Sequence, residues 1–356
     1  MNTSVTEKDI ELLESLYAGR NLYQGELHDH ASTGGTSDGK RPLEHWKGAL
    51  EALEMDFAAI LDHRQVRHMY LPEWDDNVFI GGSEPGTVIV GPDGEKIGAL
   101  HYNMVFPGPE PLEAILEAFP EFEFTGGQEG HFVYPTFTKE RFLELIDAVK
   151  AEGGFFVFPH PGQMSYGLKG ESPEDWWFCD EVGIEAIYVA LDHEYTRVNY
   201  EIWRRLLKAG SRMWACAGGD MHKCAHDWAL TSIYAEEKNS ASLIPHLRVG
   251  DFTAGPVGIR MCIGGTRMGG QCDFTGQRLV IGVGKFHKSV RNPEHRFRLD
   301  VWADEKIVCS EEISCEKPTY VAMDAEPCRF YRTEIIDVTW DLRIALGNPI
   351  WNAKRA

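Results

Sequence analysis

From about residue 22 to residue 235 the sequence alternates short apolar runs with amphipathic segments, the pattern of repeated strand-helix units. Leu43, Trp46, Leu50 and Leu53 recur at helical spacing, and Phe57 to Leu61 has the length of a buried strand. Phe142, Leu145, Ile146 and Val149 predict a second helix face, which Gly153 and Gly154 end before the run Phe155 to Phe158. Val198, Ile202 and Leu206 predict a third, stopped by Gly210 and followed by Met213 to Ala217. Each apolar run gives way to side chains that bind metals: Asp62-His63, Pro159-His160 and Asp220-Met221-His222. The first such stretch, Gly25-Glu26-Leu27-His28-Asp29-His30, places two imidazoles on one side of a strand end, because alternate strand residues share a face. Parallel strands joined by helices collect their active-site residues at the carboxyl ends of the strands.

Composition narrows the class. The 356 residues, 43% hydrophobic and 25% charged, describe a globular chain long enough for one large barrel or two domains. The 35 basic and 55 acidic side chains give a formal charge of -20, from which neither nucleic acid nor a membrane surface is an expected partner. The first twenty residues lack the basic start and apolar run of a signal peptide, and no window reaches a membrane-spanning length, so a cytoplasmic location is expected. None of the eight cysteines forms a C-x-x-C pair, which argues against a zinc knuckle or a dithiol redox site.

Beyond about residue 250 the periodicity changes. Leu279, Ile281 and Val283, and again Phe297, Leu299 and Val301, alternate with a period of two, predicting a separate all-β, sandwich-like domain over residues 250-356 after a metal-binding domain over 1-249. The stretch Glu121 to Pro135, with Gly126, Gly127 and Gly130, reads as an insertion loop.

The polar residues at the predicted strand ends resemble the motifs of the PHP (polymerase and histidinol phosphatase) superfamily. His28-Asp29-His30 with Ser37-Asp38-Gly39, then Ile60-Leu61-Asp62-His63, Phe158-Pro159-His160-Pro161 and Gly219-Asp220-Met221-His222 stand in the family's order. Gly82-Ser83-Glu84 and Ala99-Leu100-His101-Tyr102 resemble its intervening elements, with Glu95 close enough to compete with Glu84. The resemblance covers roughly residues 22 to 235 and implies a distorted (β/α)7 barrel holding two or three divalent ions of zinc, manganese or iron. It implies His28, His30 and Asp220 at one ion; Glu84, bridging, with His101 and His160 at a second; and Asp38, His63 and His222 at a third. Asp38 follows His30 by eight residues, whereas the family's carboxylate usually follows by five. Gly255-Pro256 and the near-terminal Gly347-Asn348-Pro349-Ile350 resemble two-domain relatives of the carbaryl hydrolase type.

A cluster of divalent ions makes a hydroxide nucleophile available at neutral pH, so the expected function is a metal-dependent hydrolase. Phosphoester hydrolysis comes first, with hydrolysis of a carboxylic ester, amide or carbamate as the alternative and a non-catalytic, metal-stabilised binding protein as the third reading. The expected substrate is a small anionic or ester molecule. Arg64 and Lys223, directly after predicted ligands, are candidate catalytic cations, with Arg41 and Arg197 behind them. His193, just past the predicted strand Ile184 to Leu191, is a candidate to orient substrate or donate a proton. Tyr102, Tyr166, Trp176 and Trp177 are candidate pocket aromatics. No G-x-S-x-G elbow is present for a serine nucleophile.

Overall fold

The computed structural model describes residues 4-122, 134-164 and 179-355. The glycine-rich part of the expected insertion loop, together with Tyr166, Trp176 and Trp177, lies outside the described residues.

Nine strands carry the first part of the chain. They are β1 (Asn21–Asp29), β2 (Phe57–Ile60), β3 (Phe79–Ser83), β4 (Gly86–Val90), β5 (Lys96–His101), β6 (Asn103–Phe106), β7 (Thr136–Thr138), β8 (Phe155–Phe158) and β9 (Gly183–Tyr188). β10 (Trp214–Gly218), β11 (Thr231–Ala235) and β12 (Phe252–Ala254) complete this region. The main sheet runs β10-β9-β8-β6-β3-β2-β1-β11-β12. Neighbours are parallel from β1 to β3 and from β8 to β10. β6 is antiparallel to both β3 and β8. The architecture is therefore mixed α/β, and an all-parallel run of strand-helix units does not describe it. No continuous ladder closes β10 onto β1 among the described residues. The two approach at their ends through an isolated bridge, Asp29 with Met221, where His30 N donates to Met221 O at 2.8 Å and Asp220 N to His28 O at 2.7 Å.

The helices α1 (Glu7–Leu16), α2 (Leu43–Leu53), α3 (Pro109–Ala118), α4 (Lys139–Ala151), α5 (Pro161–Met164), α6 (Glu194–Ala209) and α7 (Ser240–Val249) connect or cover these strands. α2 and α4 match their apolar spacing and bury Leu43, Trp46 and Leu50, and Phe142, Leu145, Ile146 and Val149. In α6 the buried face is centred on Asn199, Trp203 and Leu206, which leaves Val198 on the exposed side. Gly210 caps α6 in a left-handed conformation, φ 107°. No helix among the described residues is long and apolar enough to cross a membrane.

The remaining strands are β13 (Val257–Ile263), β14 (Thr266–Arg267), β15 (Gln271–Cys272), β16 (Arg278–Phe286), β17 (Phe297–Ala303), β18 (Lys306–Ile313), β19 (Thr319–Asp324), β20 (Phe330–Asp337) and β21 (Leu342–Asn352). Four of them form a sheet of order β14-β13-β16-β19, while β21, β20, β17 and β18 continue the main sheet from β12. Inward residues of both layers, among them Ile259, Ile281, Leu299, Val321 and Ile335, share one core, the arrangement of a β-sandwich.

Two polar devices tie the parts together. Asn348, fully buried on β21, accepts from Ala215 N at 2.8 Å and donates to Ala215 O at 3.2 Å and Phe252 O at 3.1 Å, pinning the last strand to β10 and β12. Helix α1 lies against the four-stranded sheet: Leu13 and Tyr17 pack with Cys262, Val280 and Ala322. Its Asp9 shares a capping box with Thr6 and accepts from Arg278 Nε at 2.8 Å.

Asn348→Ala leaves one buried N–H and two carbonyls short of a partner, so it is expected to cost about 3 kcal/mol in urea unfolding. A loss below about 0.5 kcal/mol would remove the strut from the account. The hydrogen bond from Arg278 holds the Asp9 carboxyl at about 2, below its ordinary 3.8, with burial opposing. A carboxylate depressed in the folded state stabilises fully above its unfolded value and loses that contribution as pH falls through the folded one. The unfolding midpoint should therefore fall between about pH 4 and about pH 2, and Asp9→Asn should flatten that part of the profile; parallel profiles would contradict it.

Candidate metal centre

The carboxyl ends of β1, β2, β3, β8 and β10 point the same way, and the side chains that end them converge. His28 lies near the end of β1 and His30 just beyond it; His63 follows β2, Glu84 follows β3, His160 follows β8, and Asp220 and His222 follow β10. β6, running the other way, starts at this end, and His101, two residues before it, is the last residue of β5 in a separate three-stranded sheet. All nine residues named from the sequence come together. His28, His30, Glu84 and Asp220 form one group, Glu84, His101 and His160 another, and His30, Asp38, His63 and His222 a third; within each, the ligand atoms lie within 4.8 Å of one another. Glu84 and His30 each belong to two groups. Glu95 is exposed in the turn between β4 and β5, so Glu84 is the carboxylate at the centre.

The donor set fits divalent cations on the chemistry of its nitrogens. His63 Nδ1 donates to Glu84 O at 2.6 Å and His222 Nδ1 donates to Asp220 O at 2.9 Å. A carbonyl can only accept, so both rings carry their proton on Nδ1 and turn Nε2 towards Asp38, at 3.5 and 3.0 Å. His28 follows the same rule through Glu185, whose Oε1 accepts from Nδ1 at 2.8 Å. The free edges then crowd one another: His28 Nε2 lies 3.2 Å and His30 Nε2 3.1 Å from Glu84 Oε2, and His30 Nε2 lies 3.3 Å from Asp220 Oδ1. Both nitrogens are buried and make no hydrogen bond of good geometry among the described residues. Such atoms aimed at a common point are what a metal ion satisfies.

Electrostatics agree with that reading. Burial opposes a charge on His28, yet Glu84, Glu185 and Asp220 outweigh it and hold its pKa well above the usual value. Burial opposes a charge on His30 as well, but the adjoining carboxylates of Asp220 and Glu84 raise it to about 10. Burial would raise Glu84, but the charges of His28 and His101 hold it well below the carboxylate range. Asp38 and Asp220 are likewise depressed against their burial, Asp38 chiefly by the His222 and His63 rings beside it and Asp220 chiefly by the charge of His28. The pocket demands positive charge, which protons on imidazoles or divalent cations supply.

Backbone strain marks the same place. His160 (φ 31°), Asp220 (φ 54°) and Arg64 (φ 47°) occupy the left-handed region that side chains with a Cβ avoid.

Three supporting residues were not anticipated. Glu185, buried on β9, also accepts from His160 N at 2.9 Å, so it orients two ligands at once. A Cβ on Gly218 would sit 2.4 Å from Glu185 Oε1 and 2.8 Å from His28 Cβ, so that position must stay bare. Tyr188 donates to Asp220 Oδ2 at 2.8 Å. Tyr134 OH lies 2.8 Å from His101 Nε2, its ring against Gly86, where a Cβ would come within 2.4 Å. A charged residue inside the apolar run Ile184 to Leu191 was the available signal for Glu185; the two tyrosines left none.

The expected catalytic groups fare unevenly. Arg64 is half-buried beside Tyr102 and Tyr134, and burial lowers its pKa. His193 is the N-cap of α6, its Nδ1 accepting from Tyr195 N at 3.3 Å, with its ring 5.9 Å from that of Tyr188. Lys223 is exposed, as are Arg41 and Arg197. Tyr102 is a core residue, stacked on Phe156 with ring centroids 5.4 Å apart, rather than a pocket aromatic.

No family model matches the chain, and no curated protein matches it. Among solved structures, a candidate metal-dependent phosphoesterase from Bifidobacterium adolescentis is similar over 58% of this chain and 90% of its own, at 16% identity and a TM-score of 0.39. An amidohydrolase from Chromobacterium violaceum with bound sulfate and no metal is similar over 56% and 87%, at 14% identity and 0.37. Endonuclease Q, in complex with a 27-mer duplex substrate, is similar over 64% and 57%, at 11% identity and 0.42. At these values the chemistry of this chain rests on its own geometry. The exclusion of nucleic acid as a partner is withdrawn, because structures similar to this one include a complex with DNA. Net charge averages over a whole surface, whereas phosphate binding is set by local cations and bound metals.

Glu185→Gln is expected to weaken divalent-ion binding by about 10- to 100-fold in calorimetric titration, because His28 and His160 lose their orientation. Unchanged affinity would contradict that role. Because the pKa of His30 is raised to about 10, an incoming ion must displace its proton, and metal affinity should rise with pH up to about that value with proton release; a flat profile would contradict it.

Proposed function

We propose that the chain is a metal-dependent hydrolase of the PHP type, a phosphoesterase, whose nine converging residues hold two or three divalent ions. One observation carries the reading: six imidazoles and three carboxylates, five of the nine buried and four half-buried, fall into three groups joined by Glu84 and His30. Structural sites are usually closed by four ligands around one ion and have no use for so many. Divalent ions bound there would supply Lewis acidity and an activated water at neutral pH.

The chain's own residues divide the remaining work. His63 and His222, each with its proton fixed on Nδ1 by a backbone carbonyl, present Nε2 towards Asp38. Glu185 sets the angle of His28, and Tyr188 steadies Asp220. Arg64, half-buried near Tyr134, whose hydroxyl meets His101, favours a phosphate over a carbonyl ester, since a half-buried guanidinium suits an anionic oxygen. His193 and Lys223 remain proposals for orienting substrate at the same end of the sheet. Residues 1-249 would form the distorted barrel carrying the centre and residues 250-356 the appended sandwich. The eight cysteines, all free thiols, suit a reducing cytoplasmic setting.

The test is hydrolysis by manganese- or zinc-loaded protein on parallel panels of phosphate esters and of carboxylic esters, amides and carbamates. Phosphate release is expected, lost by about 100-fold or more in His63→Ala and His222→Ala. Turnover confined to the carbonyl panel would replace the phosphoesterase reading, and equal turnover in both variants would end the catalytic assignment.

A further inference from the structure

A groove of about 410 Å³ opens between the loop after β9, the segment that follows His222, and the β-sandwich. A chain of contacts joins it to the centre. Tyr188, bonded to Asp220, meets the ring of His193, and Asp192 next to it lines the groove. From the other side Asp227 and Trp228 follow His222 by five and six residues, and Trp340 with Asp337 comes from the sandwich.

Two properties of the lining define an occupant. Trp228 is 52% and Trp340 64% exposed, an expensive use of large apolar rings unless something covers them. Asp337 holds the Trp340 loop through its carboxylate, which accepts from Trp340 N at 3.3 Å and Thr339 N at 2.9 Å and pairs with His295 Nδ1 at 2.6 Å. Asp227 has His287 Nδ1 at 3.9 Å. Asp192 is exposed and has no ion-pair partner among the described residues. The lining thus combines two exposed tryptophans, Trp228 against His226 and Trp340 against His295, and three carboxylates, of which Asp337 is buried, with aliphatic walls, and no lysine or arginine among the described residues belongs to it. Aromatic faces attract a cation through the ring quadrupole, and carboxylates add charge without requiring a directional hydrogen bond. The volume falls in the range of small-molecule sites.

We propose that this groove is a subsite for a small organic cation, a substituted ammonium group, borne by the part of the substrate away from the bond that is cut. The proposal rests on the hydrolase reading for its placement in a substrate, while the groove's affinity for the cation stands without turnover. Trp228 and Trp340 would flank the ammonium group and Asp192 would neutralise it.

The test uses choline and its uncharged isostere 3,3-dimethylbutan-1-ol as probes, titrated calorimetrically into the full-length, metal-loaded protein. Choline is expected to bind with a dissociation constant of about 1 mM or tighter, and the alcohol about tenfold more weakly. Trp340→Ala and Asp192→Asn, both at exposed positions and so compatible with folding, should each weaken choline about tenfold and leave metal content unchanged. For enzyme turning over choline phosphate, Trp340→Ala should raise KM with kcat unchanged, and should not raise KM for 3,3-dimethylbutyl phosphate. Equal binding of choline and the alcohol, or choline binding indifferent to both substitutions, would overturn the subsite. Selective choline binding with no ester hydrolysed would uphold the groove and sink the hydrolase reading alone.

Discussion

Five imidazoles surround one buried carboxylate. Glu84 lies 2.9 Å from His101, 3.1 Å from His30, 3.2 Å from His28 and His160, and 3.7 Å from His63. A carboxylate removed from water is costly unless paired, and the imidazoles around it can pair with it through a proton or share a cation with it through a lone pair. Everything around the centre answers that constraint. Glu185 and two backbone carbonyls fix which nitrogen of His28, His63 and His222 carries the proton, and Asp38 and Asp220 add charge on the far sides. The left-handed backbones of His160 and Asp220 are strained conformations held by the same convergence.

The fold supplies the convergence through strand direction. Parallel strands end at one edge, so β1, β2, β3, β8 and β10 deliver ligands to a common place, and the reversed strand β6 starts there, bringing His101 with it. The approach of β10 to β1 is made by the ligand segments themselves, through hydrogen bonds at His28, His30, Asp220 and Met221. The sandwich is fastened to the other half of the sheet by Asn348, far along the chain from the centre yet bonded to β10. Local geometry at the centre and the docking of the second region therefore share a strand.

Much of this was legible in the sequence. Apolar runs with punctuating glycines located β2, β8 and helices α2, α4 and α6, because burial sets their spacing directly. The nine converging side chains were legible because chemistry restricts them to histidine and carboxylates at strand ends. Asp38 tests the limit: the longer loop before it still delivers its carboxylate to within 3.0 Å of His222, since loop length changes the path and not the endpoint. What was not legible depends on pairing rather than on local pattern. The reversal at β6 cannot be read from a short apolar run, whose sequence looks the same in either direction. Tyr134 and Tyr188 act through a single hydroxyl each, and His193 serves as a helix cap at a position where strand-end reasoning suggested chemistry. Partner exclusion from net charge failed for a related reason, since an average over the surface says nothing of one site.

The claim on which the rest depends is that the Glu84 cluster binds metal ions. Anomalous diffraction from crystals grown with manganese or zinc, recorded on either side of the metal's absorption edge, tests it most directly. The account predicts at least two peaks, both sharing Glu84 or His30 as a ligand. Fully loaded crystals with no peak among these nine residues, or with peaks only elsewhere, would contradict it.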